Sequence, residues 1–178
     1  MNRTKKMSLC AMMVSLALAL SYMERFIPLQ LVIPLPGIKL GLANIVTLIA
    51  LYLLGEKNTY MIVLLRCLLG SMFGGGISGL LFSLTGGLLA VTVMAAAKRI
   101  PCFSVYGVSI LGAAAHNVGQ ICAAMVLMQS VYIGAYLTYL LIVALFTGYA
   151  IGGASSGVLR VLGSLRIGAS TKECNHFL

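Results

Sequence analysis

RCLLGSMFGGGISGLLFSLTGG, running from Arg66 to Gly87, sets one cation and seven glycines in otherwise apolar sequence. Glycine inside a soluble helix costs about 1 kcal/mol relative to alanine. In lipid, small residues let helix backbones approach, and the packing that follows drives association. A charged side chain inside an apolar span is expensive and marks a functional site by default. The stretch reads as two membrane helices meeting around a polar spot, with Gly74, Gly75 and Gly76 at the break.

The rest of the chain supports a membrane reading. Hydrophobic residues make up 61% and charged residues 8%, with a mean hydropathy of +1.07. An ordinary soluble domain is about 25% charged, so this chain lacks the charge to cover a soluble surface. The expected fold class is an all-α integral membrane protein with six transmembrane helices. It is expected to form a single domain, 1–178, with basic cytoplasmic tails at about 1–6 and 159–178.

A spanning helix needs about 20 mostly apolar residues. The first span runs from Met7 to Ile27; its apolar run is long for a signal peptide and ends at Glu24-Arg25 without a small-residue cleavage site, so it reads as retained. PLQLVIPLPGIK, Pro28 to Lys39, holds three of the four prolines and reads as a stiff apolar loop, either a lid over a cavity or a plain connector. The second span is Leu40 to Leu54, and the third begins near Thr59 and ends at the glycine break. The fourth covers Ile77–Ala97, the fifth Ser104–Gln129 and the sixth Tyr132–Gly157.

Charge fixes the expected orientation. Nine of the twelve Lys and Arg residues fall on the side that carries both termini; Arg25 and Lys39 fall on the other, and Arg66 lies within a span. Positive residues mark the cytoplasmic face, so both ends are expected inside, with the Pro-rich loop and the glycine break outside. The net charge of +9 is spread along the chain as topology signals are, whereas a nucleic-acid surface would cluster it.

Several chemistries are excluded. Gly74, Gly76 and Gly79 match G-x-G-x-x-G, but without the strand and later acid that a dinucleotide site needs. There is no P-loop, so ATP-driven work would fall to a partner. His116 has no carboxylate near it in sequence, so no third member orients it as the base of a nucleophile. The acids are Glu24, Glu56 and Glu173, with no aspartate. The five cysteines include no C-x-x-C and read as thiols that pack like small hydrophobes. No metal or cofactor is expected.

The polar residues inside apolar spans are the candidate substrate-binding groups: Asn44, Arg66, His116, Asn117 and Gln120. His116 and Gln120 share a helix face, as a wall for a polar ligand or as interhelical hydrogen bonding. Arg66 has three readings: it faces an anionic ligand, caps backbone carbonyls, or snorkels to the surface. Ala11, Ser15 and Ala19 recur every four residues and make a smooth face, for a partner protein or for another helix of this chain.

KLGLANIVTLIALYLLG (Lys39 to Gly55), the Arg66–Gly87 run and HNVGQ (His116 to Gln120) together resemble the bacterial family called Gx transporters. That family is also labelled heptaprenyl diphosphate synthase component I, and the likeness covers about Glu24 to Gly157. The family is in turn similar to the substrate-binding S components of energy-coupling factor (ECF) transporters, with six helices, a lid after the first, and small docking residues on it. This resemblance implies a multi-pass protein of the bacterial plasma membrane that binds a small vitamin-like or isoprenoid/quinone precursor. Its partners would be an ECF transmembrane coupling subunit and two ATPase subunits, docked on Ala11, Ser15 and Ala19. The alternative is a non-catalytic membrane subunit of a heptaprenyl diphosphate synthase. Prenyl chain elongation itself needs aspartate-rich motifs for Mg²⁺, which this sequence lacks.

Overall fold

A computed structural model describes residues 3–26, 39 and 41–164. Six α-helices follow in order: α1 Arg3–Met23, α2 Asn44–Leu53, α3 Glu56–Gly70, α4 Gly76–Lys98, α5 Val105–Met128 and α6 Tyr136–Ser164. Single turns of other helix type extend α1 (Glu24–Phe26), join α3 to α4 (Ser71–Gly75) and precede α6 (Val131–Ala135). No strand occurs among the described residues.

Each of the six expected spans contains a helix, but the helices are not equal. Arg3–Met23, Gly76–Lys98, Val105–Met128 and the run Val131–Gly163 are long and apolar enough to cross a membrane. α2, with 10 residues, is about 15 Å long, half the roughly 30 Å of a hydrocarbon core. Apart from Asn44 and Thr47 it is apolar, and Val46, Leu48, Ala50 and Leu51 are fully buried, as such a helix must be in the middle of a bundle. α3, with 15 residues, also falls short until the turn at Ser71–Gly75 prolongs it. Helix α6 runs past Gly157 and carries Arg160 within it, so the final basic segment begins later than expected. The Pro28–Lys39 loop, apart from Lys39, lies outside the described residues.

The glycine break has a backbone reason. Gly76 sits at φ +61° and Gly55, between α2 and α3, at φ +78°. Side-chain-bearing residues rarely adopt this region. Helix α5 starts at Ser104, whose Oγ accepts from the Gly107 N–H at 3.4 Å. It stops at Gln129, where a left-handed residue lets the N–H turn back to the Met125 carbonyl.

Glycine also sets how closely the helices pack. A Cβ on Gly119 of α5 would lie 2.8 Å from the Gly86 Cα of α4, and one on Gly148 of α6 would lie 2.7 Å from the Ile110 Cα of α5. Helices α4, α5 and α6 therefore touch backbone to backbone, and α2 packs against them through Leu48, Leu51 and Tyr52, beside Met94, Val108 and Leu159. Helix α1 is held more loosely: only Val14 and Ala17 of its 21 residues are buried. Where α1 and α3 end and α4 begins, the bundle opens.

Candidate ligand-binding site

A cavity of about 570 Å³ lies at that opening. Leu18 and Tyr22 of α1, Lys39, Arg66 and Cys67 of α3, and Ser83 of α4 line it, and no acid does. Helix α3 turns Arg66 inward, where it is only 6% exposed. Gly87 of α4 makes the room: a Cβ there would stand 3.2 Å from Arg66 Nη2 and 2.9 Å from Val63 Cγ1. Arg66 Nε is buried and has no hydrogen-bond partner. A buried donor left this way costs about 1–3 kcal/mol, more when charged. Cys67 Sγ donates to the Ser83 carbonyl at 3.3 Å and pins α3 to α4 beside the guanidinium.

Lys39 connects this cavity to a second polar cluster. Its ammonium donates to Ser83 Oγ at 2.8 Å, and its backbone N–H donates to Gln120 Oε1 at 3.3 Å. With its oxygen fixed by that N–H, Gln120 turns its amide nitrogen to His116 Nε2, 3.1 Å away. Nε2 is then the acceptor, so the neutral ring carries its proton on Nδ1. Nδ1 faces the Gly86 backbone, where a Cβ would come within 3.0 Å of it.

Gly41 closes the cluster. Its φ of +83° excludes most side chains, and a Cβ would sit 2.8 Å from Asn44 Nδ2 and 3.0 Å from His116 Cδ2. Glu24, 4% exposed, accepts on Oε1 from the Gly41 N–H and from the Leu42 N–H at 3.4 Å. The end of α1 is thereby tied to the start of α2.

The expected binding residues thus separate. Arg66 lines the cavity; Asn44, His116 and Gln120 gather around Gly41 behind it. Both polar atoms of the Asn44 side chain are buried without a partner. Asn117 faces elsewhere: its Nδ2 donates to the Leu140 carbonyl of α6 at 2.8 Å. Glu24, Lys39 and Ser83 were not among the expected groups. Glu24 was visible as one of three acids at the end of an apolar run, and Lys39 as one of few cations on its side. Ser83 carried no signal. Among the described residues, no three His, Cys, Asp or Glu side chains group to hold a metal ion.

Ala11, Ser15 and Ala19 are all exposed on α1. Ser15 Oγ bonds the Ala11 carbonyl of its own helix at 3.1 Å, so the hydroxyl needs no outside acceptor. Ala11 and Ser15 face an open groove of about 790 Å³ against Ile62 and Leu65 of α3, with Arg3 and Lys6 at one end. Ala19 borders the cavity instead.

A family model described as heptaprenyl diphosphate synthase component I matches residues 13–158. The chain belongs to this family. Neither a curated protein nor a solved structure matches it. In this component I protein the matched region contains the whole cavity lining and the cluster around Gly41. It leaves out the first turns of α1, with Ala11, and the last turn of α6.

Proposed function

We propose that this component I protein is a membrane-embedded substrate-binding subunit that takes up a small molecule with the help of an energising partner, as an ECF S component does. The observation that carries the reading is the buried Arg66, with its unpartnered Nε, in a cavity of about 570 Å³. That size falls within the roughly 300–1,000 Å³ of small-molecule pockets. In the six-span arrangement both termini are cytoplasmic and the cavity lies in the outer half of the plasma membrane. Substrate arrives from outside. The exposed Ala11, Ser15 and Ala19 face of α1 docks the transmembrane coupling subunit, which carries two ATPase subunits. Asn44, His116 and Gln120 support the site from behind, through Lys39, and Asn117 adds to the α5–α6 contact. A vitamin-like compound or an isoprenoid or quinone-ring precursor suits a pocket with apolar walls and a cationic corner.

The family description favours a second reading, a non-catalytic membrane subunit of a heptaprenyl diphosphate synthase. Purification of the tagged protein from its native membrane separates the two. Co-purification of a coupling subunit and ATPases is the expected result. Recovery of a soluble prenyl synthase chain in their place establishes the second reading and removes the first.

A further inference from the structure

Resting on the reading of the cavity as a binding site, we propose that its ligand is a singly charged amphiphilic acid, a carboxylate with a short apolar or ring portion, and not a diphosphate. Two cations border the cavity, Lys39 and Arg66. One carboxyl group stands behind Lys39: Glu24, whose Oε1 accepts from the N–H groups of Gly41 and Leu42, donors that favour its ionised form. Among the described residues, these three groups sum to a single positive charge with Glu24 ionised. One negative charge on a ligand neutralises the site, whereas the several charges of a diphosphate overshoot it. An unbalanced charge in a low-dielectric interior is strongly unfavourable. A divalent cation would have to restore balance, and hard cations need oxygen ligands. The sequence contains no aspartate, and Glu56, another of its three acids, is taken by Arg99 at 2.8 Å.

The donors fit a carboxylate. Arg66 Nε supplies a buried N–H with no partner. Ser83 Oγ accepts from Lys39, so its own proton remains to be donated into the cavity. Opposite these donors the wall is apolar, with Leu18 and Ala19 of α1 and Phe73 beyond α3. Gly79 also borders the cavity, and a Cβ there would meet nothing within 4 Å. The ligand's apolar part lies over that glycine.

The test uses purified full-length protein in lipid nanodiscs. Straight-chain acids from pentanoate to decanoate and 4-phenylbutanoate are titrated beside the matching alcohols and amines, and beside farnesyl diphosphate with Mg²⁺ and with chelator. The acids bind best, and the amines do not bind. Arg66→Gln weakens the acids by roughly five- to hundredfold, the loss expected for a buried hydrogen bond to charge, and weakens the alcohols much less. Gly79→Leu projects a side chain into the cavity from a Cβ position that meets nothing within 4 Å, abolishing binding of acids and alcohols while the melting temperature holds. Acids and alcohols binding equally, with Arg66→Gln silent, overturns the anionic class but leaves the cavity as a binding site. Farnesyl diphosphate binding more tightly than every acid overturns the single charge. Failure of every probe on the parent protein removes the proposal and the binding reading together.

Discussion

Replacing Gly119 by alanine puts a methyl group at the closest approach of α4 and α5. It would stand 2.8 Å from the Gly86 Cα and the Thr85 carbonyl oxygen and 2.9 Å from the Gly86 nitrogen, where ordinary contact begins at 3.4 Å. All three atoms are backbone, so no side chain can rotate away. The helices must separate by about half an ångström along a seam where α5, α6 and α2 also pack. Overpacking of this kind costs about 1–3 kcal/mol, and the better helix propensity of alanine returns at most about 1 kcal/mol. At the middle of that range the cost exceeds the return by about 1 kcal/mol, which lowers the melting temperature of a chain this size by roughly 2–4 °C. Ligand affinity falls as well, because His116 lies on the same seam and, through Gln120, holds the Lys39 backbone. The assay is thermal unfolding in one detergent, with Gly79→Ala as the control on a helix face where a Cβ meets nothing within 4 Å. If Gly119→Ala melts at or above the parent temperature, the backbone contact between α4 and α5 does not exist as described.

Asn117→Ala removes the hydrogen bond to the Leu140 carbonyl and costs about 0.5–1.5 kcal/mol of stability while leaving ligand affinity intact; an affinity loss without a melting loss would return Asn117 to the binding site. Arg66→Lys is nearly as damaging to acid binding as Arg66→Ala, since lysine cannot present a planar fork of donors; retained affinity in the lysine variant shows that charge alone suffices. For topology, a variant keeping Cys102 as its only thiol, exposed between α4 and α5, reacts with an impermeant maleimide only after the membrane is opened. A thiol placed at Ser130 instead reacts from outside, and labelling of both from one side would falsify the six-span arrangement. The exposed Glu56–Arg99 pair gives a small pH dependence. Arg99 holds the Glu56 carboxyl below its usual 4.5, so the pair's contribution is full above that value and is lost as pH falls through the lowered one. The melting gap between the parent and Arg99→Gln therefore closes in acid and shrinks with salt, and a gap that widens in acid refutes the assignment.

The sequence by itself determined the class and the helices. Backbone groups in lipid must be satisfied within their own segment, so each apolar run had to become a helix, and the glycines at 55 and 76 had to end one. Helix length was less legible. The same apolar composition serves a span and a buried core segment, and only the packing shows that α2 is 10 residues long and enclosed. The site divided in the same way. An arginine in an apolar run announced Arg66, but no local pattern tied Glu24 to the Gly41 backbone. That contact forms because Gly41 takes a left-handed conformation and lets the chain before α2 meet the end of α1. His116 and Asn117 are neighbours in sequence yet about 100° apart around α5. The rotation of α5 set by Gly86, Gly119 and Gly148 turns one toward the Lys39 cluster and the other to α6. Which polar residues a bundle gathers depends on that rotation, and contacts between distant glycines fix it.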